Sequence, residues 1–165
     1  MRKLLLTLVR HGKSSWQEAG QSDRDRPLNK RGTADAPVMA KRLADRDCIP
    51  ELILCSSAVR TQQTAALLMS GLGLDKESIQ FHDELYLASP ATLLSAVQSL
   101  ANDCAHVMII AHNPGLEDLS AQLSDQCNAC MPTLGIRHFS YASGTDLTER
   151  LNKVQLVFED YPDKG

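Results

Sequence analysis

The sequence lacks a long hydrophobic run. The apolar stretch nearest its start, residues 4–9, contains Thr7 and is shorter than the hydrophobic segment of a typical signal peptide. No other run approaches the roughly 20 apolar residues that a membrane-spanning helix needs. We therefore expect a cytoplasmic protein without a membrane partner.

An excess of charge of either sign is also missing. Lysine and arginine together number 17 and the acidic residues 20, which gives a formal net charge of −3. A protein of this balance has no general attraction to nucleic acid or to an anionic membrane. Any site rich in cations must therefore be local, and we expect no nucleic-acid partner.

The sequence has no regular pattern of cysteine and histidine. Its five cysteines are an odd number in scattered positions, which suits reduced thiols in a cytoplasm. His82, His106 and His138 resemble ordinary strand residues, and together with the cysteines they show no zinc-site spacing. Cys127 and Cys130 form an isolated C-x-x-C without a second pair, and we assign it no function. The sequence predicts no metal site.

A nucleotide-binding P-loop is absent as well, although Gly12, Lys13 and Ser14 have the residues with which a P-loop ends. That motif requires a glycine five positions before Gly12, where this chain has Thr7. The predicted strand also runs straight to Val9, so that no flexible loop precedes the lysine. These two features exclude the P-loop interpretation.

The 165 residues contain no internal repeat, low-complexity tract or Pro/Gly linker, so we expect one domain over residues 1–165. Predicted strands "KLLLTLV", "ELILCS" and "HVMIIAH" alternate with amphipathic helical segments. "IRHFSYA" and "KVQLVFED" are expected to form a closing pair. This alternation predicts an α/β fold with a mostly parallel sheet. We expect Ser57 and Asn113 to cap the helices that follow two of the strands.

Basic residues and histidines follow three of the predicted strands. Arg10 and His11 end the first, Arg60 comes shortly after the second, and His112 follows the strand "HVMIIAH". In open α/β sheets, ligands bind at the carboxyl edge of the strands. The planar guanidinium group of an arginine can donate two parallel hydrogen bonds to the oxygens of a phosphoryl group. Because nearby cations keep an imidazole neutral and nucleophilic, phosphoryl transfer to His11 is chemically sensible.

These same segments resemble the histidine phosphatase (phosphoglycerate mutase-like) superfamily. "LVRHGKSSW" is similar to its R-H-G signature, and "RPLNKRG", "LCSSAVRTQQTA" and "IIAHNPGL" follow in the family's order. The short length of the chain and the segment "DRDRPLNKRGTADAPVMAKRL" resemble those of the SixA-type phosphohistidine phosphatase branch. The resemblance implies a three-layer sandwich with helices on both faces of the sheet and no large lid insertion.

The resemblance also implies roles for individual residues. His11 would be the nucleophile that becomes phosphohistidine, and Glu84 the general acid, with Asp83 as the alternative. The phosphate-binding residues would be Arg10, Arg26, Arg60 and His112. No metal or organic cofactor is implied. The rest of "DRDRPLNKR" is expected to be mostly solvated surface.

Three functions are compatible with these residues. We favour a metal-independent phosphatase that works through phospho-His11 on protein phosphohistidine, because the 27 residues between Glu84 and His112 (85–111) leave no room for a lid. The second is a small-molecule phosphomonoesterase with the same first step. The third, a phosphoprotein-binding module without turnover, has no need of a nucleophilic histidine. A monomer is the default expectation.

Overall fold

A computed structural model gives the fold of the chain and describes residues 2–101, 103–148 and 154–163. Its strands are β1 (Lys3–Arg10), β2 (Leu52–Ser56), β3 (Ile79–His82), β4 (His106–Ala111), β5 (Ile136–Ala142) and β6 (Val154–Asp160). Its α-helices are α1 (Lys30–Asp45), α2 (Val59–Leu72), α3 (Pro90–Leu100) and α4 (Gly115–Leu123). Short 3₁₀ turns cover Asp23–Asp25, Lys76–Ser78 and Asp83–Leu85.

The six strands form one sheet in the order β3-β2-β4-β1-β5-β6. Strands β1 to β4 are mutually parallel, whereas β5 runs antiparallel to both β1 and β6. The predicted mostly parallel sheet and its closing pair are confirmed. The connection within that pair falls partly on residues 149–153, outside the described residues.

Helices cover both faces of the sheet, because successive strand residues point to opposite sides. Leu6 and Leu8 of β1 pack with the buried residues of α3 and α4. Val9 packs on the other face with buried residues of α1 and α2. The expected three-layer sandwich is confirmed.

The strand order brings three strand ends together. Strand β4 lies between β1 and β2, so the carboxyl ends of these three parallel strands form one continuous edge. Helices α2 and α4 start just beyond that edge, but their N-caps are Ala58 and Pro114, one residue later than predicted. The side chains of Ser57 and Asn113 are engaged elsewhere: Ser57 accepts a hydrogen bond from Arg24, and Asn113 donates to Glu117.

Among the described residues, no helix is both long enough and apolar enough to cross a bilayer.

Candidate active site

His11 lies directly after β1 and is buried. Its Nδ1 is 2.7 Å from the carbonyl oxygen of Gly12, to which it can only donate. The lone pair of a neutral ring is therefore at Nε2, 3.4 Å from Nε of Arg60. Burial, followed by the charges of neighbouring arginines, lowers the pKa of His11 to about 4. At neutral pH, His11 has an unprotonated nitrogen that faces a guanidinium.

His112 follows β4, and its ring centroid is 5.2 Å from that of His11. Its Nε2 is 2.7 Å from Oγ of Ser56, and its Nδ1 is 3.4 Å from Nη2 of Arg60. Since Arg60 can only donate, the lone pair belongs at Nδ1 and the proton at Nε2. Burial and then the proximity of His11 and Arg60 lower the pKa of His112 to about 3. Both histidines are thus neutral.

Arg60 connects the two histidines from the first turn of α2. It is only 3% exposed, and its guanidinium contacts both rings. The remaining donors face Asp23: Nη1 donates to its carbonyl oxygen at 2.6 Å, and Nη2 to its Oδ2 at 2.9 Å. Every nitrogen of this guanidinium therefore has a hydrogen-bond partner.

Asp23 is the carboxylate that the structure places among the cations. Besides Arg60, it accepts a hydrogen bond at Oδ1 from Nη1 of Arg26 at 2.9 Å and one at Oδ2 from the hydroxyl of Tyr86. The Tyr86 hydrogen bond, followed by that of Arg60, holds the pKa of Asp23 below its usual range. Tyr86 also packs edge-on against His112, with ring centroids 5.3 Å apart. Asp23 keeps 43% of its side chain exposed, as expected for a solvated surface segment, but its carboxylate also contacts the arginines of the cluster.

Arg26 lies beside Asp23 and is 7% exposed. Its Nε donates to the carbonyl of Ser15 at 3.1 Å, and its Nη2 donates to the hydroxyl of Ser14. The guanidinium stacks on the indole of Trp16 at 3.3 Å from the ring centroid, while that indole is 76% exposed. The predicted residue Arg26 therefore adjoins the cluster, linked to it through Asp23.

Arg10 ends β1 and approaches the cluster from its other side. Its Nη1 donates to the carbonyl of Met131 at 3.0 Å, a carbonyl that also accepts from Nδ2 of Asn113. Burial lowers the pKa of Arg10, with a further contribution from Arg60. Within the described residues, Nε of Arg10 and Oδ1 of Asn113 are buried without a hydrogen-bond partner. Arg10 thus retains an unpaired donor beside His11.

Glu84 is not brought into this cluster. Its side chain is 59% exposed, and its Oε1 lies 3.6 Å from Nδ1 of His82. The alternative, Asp83, pairs with Arg24. In the described part of the chain, no hydrogen bond or ion pair connects either carboxylate to His11, Arg60 or His112. The general-acid role of Glu84 remains a prediction.

Three residues that contact the predicted set were not singled out from the sequence: Ser56, Asp23 and Tyr86. Ser56 ends β2, so the strand-end argument that found His112 also applied to it. Asp23 lies in one 3₁₀ turn and Tyr86 directly follows another, and no residue pattern indicated where either turn would lie. Metal-ligating groups are not clustered here: in the described residues, the one set of three close ligand side chains is Cys48, His106 and His138, which is remote from this pocket.

The arrangement provides a neutral imidazole nitrogen surrounded by guanidinium donors. An imidazole in this state can attack an electrophilic phosphorus. Arginine donors placed around it can stabilise negative charge on the equatorial oxygens of the phosphoryl group. The pocket is therefore chemically equipped for phosphoryl transfer to nitrogen.

Comparison with known families identifies the chain. The model of the histidine phosphatase superfamily (branch 1) matches residues 6–86. This region contains His11, Arg26 and Arg60 on the elements just described. The chain belongs to the histidine phosphatase superfamily. It is a phosphatase hydrolase of the SixA type, as the sequence resemblance predicted.

Solved structures of histidine phosphatases resemble this chain along nearly its whole length. A protein from Agrobacterium tumefaciens, assigned as phosphohistidine phosphatase SixA, has a TM-score of 0.81 and 29% identity. The alignment covers 96% of this chain and 99% of that one. A protein histidine phosphatase SixA in complex with tungstate has a TM-score of 0.79 and 25% identity, with 96% and 97% coverage. These matches confirm the phosphoglycerate mutase-like fold.

Among curated proteins, an uncharacterised chloroplastic protein of Arabidopsis thaliana is similar to this chain. It is 31% identical over 140 residues, which are 76% of this chain. The matched segment spans only 64% of the length of the Arabidopsis protein.

Proposed function

We propose that this histidine phosphatase removes phosphate from phosphohistidine residues of protein substrates, as a single domain and through a phospho-His11 intermediate. The observation that carries the proposal is the neutral Nε2 of His11, which is fixed by the Nδ1 hydrogen bond to Gly12 and faces Arg60 at 3.4 Å. Likeness to SixA proteins at 29% and 25% identity supports the choice of substrate class.

In the first step, the lone pair at Nε2 of His11 forms a bond to the substrate phosphorus. The nitrogen–phosphorus bond of the substrate breaks, and its electron pair goes to the substrate imidazole, which leaves neutral if it was already protonated. Arg10, Arg26 and Arg60 would hold the phosphoryl oxygens. Because a protonated imidazole leaves as a neutral group, this step needs little proton donation from Glu84.

In the second step, a water oxygen attacks the phosphorus of phospho-His11. The bond to Nε2 breaks and its electron pair returns to the ring, while the proton of the water is released to solvent or stays on the phosphate. Negative phosphoryl charge next to His112 would raise the pKa of that ring and favour a proton on Nδ1. His112 would then donate a hydrogen bond to a phosphoryl oxygen.

The short segment between Glu84 and His112 supports a protein-borne substrate. The segment between Glu84 and His112 consists mainly of α3 and β4, and α3 packs against the sheet. The described residues of this segment form no insertion that covers the pocket. Trp16 stands exposed at the edge, beside Arg26. Among the described residues of this segment, no insertion would have to move before a phosphohistidine on another protein could approach the site.

The test is phosphate release from a histidine-phosphorylated phosphotransfer domain, in the presence of a chelator. We expect release by the wild type and none by His11→Ala. The matched control is His82→Ala, which removes a histidine at the end of β3, outside the cluster, and should leave the rate within about twofold. Wild type quenched at high pH should contain an acid-labile phosphoryl group on His11.

The outcome also decides the substrate class. Rapid turnover of a small phosphoester with none of the phosphoprotein would replace the proposed substrate but retain the His11 step. Binding of the phosphoprotein without phosphate release, unchanged in His11→Ala, would overturn the catalytic proposal.

A further inference from the structure

A second polar cluster is buried at the opposite end of the sheet. His106 is the first residue of β4, whereas His112 follows the last, so six strand residues separate the two ends by about 20 Å. Thr7, Cys48, His106 and His138 meet there, and all four are buried. The proposed phosphatase mechanism uses none of them.

The cluster interrupts an otherwise apolar surface. On the sheet face that packs against α1 and α2, the neighbouring inward positions hold Val9, Met108 and Ile136. Because inward positions alternate along each strand, Thr7, His106 and His138 occupy the next places on the same face. Polar side chains at three adjacent core positions are costly to bury unless they have partners.

Their partners lie mainly within the cluster itself. Oγ1 of Thr7 is 2.7 Å from Nε2 of His106 and 2.8 Å from Nδ1 of His138. The Sγ of Cys48 is 3.7 Å from that hydroxyl and 3.6 Å from Nδ1 of His138. The thiol and the two imidazole nitrogens all lie within 4.8 Å of one another.

The separation of Cys48 and His138 is close to that of two ligands in a tetrahedral zinc site. Zinc bonds of about 2.3 Å to sulfur and about 2.0 Å to nitrogen imply a sulfur–nitrogen separation of about 3.5 Å in a tetrahedron. The distance from Cys48 to His138 is 3.6 Å. Cysteine sulfur and imidazole nitrogen are the donors that zinc prefers.

The histidine orientations also fit metal binding. Nδ1 of His106 is 3.1 Å from the carbonyl oxygen of Ile49, to which it can only donate. Its lone pair is therefore at Nε2 and faces the centre of the cluster. Zinc-bound histidines typically donate their second nitrogen to a carbonyl in this way. Phe158 stacks on His138 at 5.0 Å and Arg46 covers Phe158 at 4.2 Å, so the position of His138 is fixed.

We propose that Cys48, His106 and His138 bind one zinc ion, with the hydroxyl of Thr7 as a weak fourth ligand. The thiol of Cys48 loses its proton to solvent as the zinc–sulfur bond forms. The two imidazoles are neutral, and each donates a lone pair to the ion without losing a proton. The ion joins the loop after α1 to β1, β4 and β5. Its role is structural, because the site is closed and far from the phosphate pocket.

The test is titration of chelator-treated protein with Co²⁺, a coloured probe for zinc sites. A background of Cys127→Ser with Cys130→Ser removes the C-x-x-C pair as a competing site. We expect one Co²⁺ per chain, a sulfur-to-cobalt absorption band, and displacement by Zn²⁺. Cys48→Ser should eliminate the band and weaken binding by at least about 100-fold. The control His82→Ala should behave as the background protein does.

Thermal unfolding gives a second measurement that needs no variant in the core. Zn²⁺ at 100-fold excess over its dissociation constant should raise Tm by about 8 °C in the background protein. Absence of Co²⁺ uptake after prolonged incubation would overturn the proposal, and so would a cobalt spectrum unchanged by Cys48→Ser. The cluster would then be a hydrogen-bonded polar core only.

Discussion

Oδ2 of Asp23 accepts a hydrogen bond from Nη2 of Arg60 at 2.9 Å, while Oδ1 accepts one from Nη1 of Arg26 at the same distance. A carboxylate thereby occupies guanidinium donors that are suited to a phosphoryl group. In the proposed phosphatase, Asp23 both orients the two arginines and competes with the phosphate for them.

Asp23→Asn should strengthen anion binding, because the amide still accepts one hydrogen bond but carries no charge. We expect the inhibition constant of vanadate, a phosphate mimic, to fall about fivefold, which corresponds to about 1 kcal/mol. Asp25→Asn in the same turn changes the net charge equally, and its carboxylate is bonded only to Ser22 in the contacts described. An equal effect of both substitutions would attribute the change to overall charge and contradict the local competition.

The depressed pKa of His11 predicts a specific loss of stability in acid. The folded-state pKa is about 4 and the ordinary value is 6.5, so protons bind the unfolded chain more readily. The stabilisation is complete above pH 6.5 and is lost as the pH falls through 4. Between pH 7 and 4.5, the free energy of unfolding of the wild type should fall by about 2 kcal/mol more than that of His11→Gln.

Urea unfolding at a series of pH values measures this difference, because other titrating groups are common to the two proteins. Parallel pH profiles for wild type and His11→Gln would mean that His11 titrates normally in the folded protein.

Ser56 is expected to act as a positioning residue for His112. Its Oγ lies 2.7 Å from Nε2 of that ring, and both residues are buried. Ser56→Ala would leave this nitrogen without its partner and free the ring to turn. We expect kcat to fall about tenfold with KM changed less than twofold. Ser70→Ala, on the exposed side of α2, is the matched control. A rise in KM at constant kcat would instead assign Ser56 to substrate binding.

Glu84→Gln tests whether a general acid is needed. Since Glu84 is 59% exposed and contacts His82, we expect phosphohistidine hydrolysis to stay within about twofold of wild type. Asp83→Asn is the companion variant for the alternative carboxylate. A loss of tenfold or more in the Glu84 variant, with a phosphohistidine substrate, would restore it as the acid.

The central part of the site could be predicted because parallel strands end at one edge of a sheet. Arg10, His11 and His112 end or follow β1 and β4, and Arg60 lies just beyond β2, so strand order alone brings them together. The family resemblance supplied the expected roles and also included Arg26.

The remaining contacts depend on geometry that local patterns do not encode. Asp23 reaches Arg60 from a 3₁₀ turn within a polar segment, and no local pattern indicated that this turn lies against α2. Cys48 and His138 are 90 positions apart in the chain, so no metal-site spacing could connect them. Their proximity follows from the pairing of β1 with β5 and from the direction of the chain after α1.

The stacking of Arg26 on Trp16 places a natural fluorophore in contact with a residue of the candidate site. The sequence contains one tryptophan, and the guanidinium lies 3.3 Å from the centroid of its indole ring. An anion that draws Arg26 towards it would change the environment of that indole, and with it the fluorescence emission of the whole protein. Vanadate should therefore shift the emission of the wild type but not that of Arg26→Ala, so that occupancy can be followed without a labelled substrate.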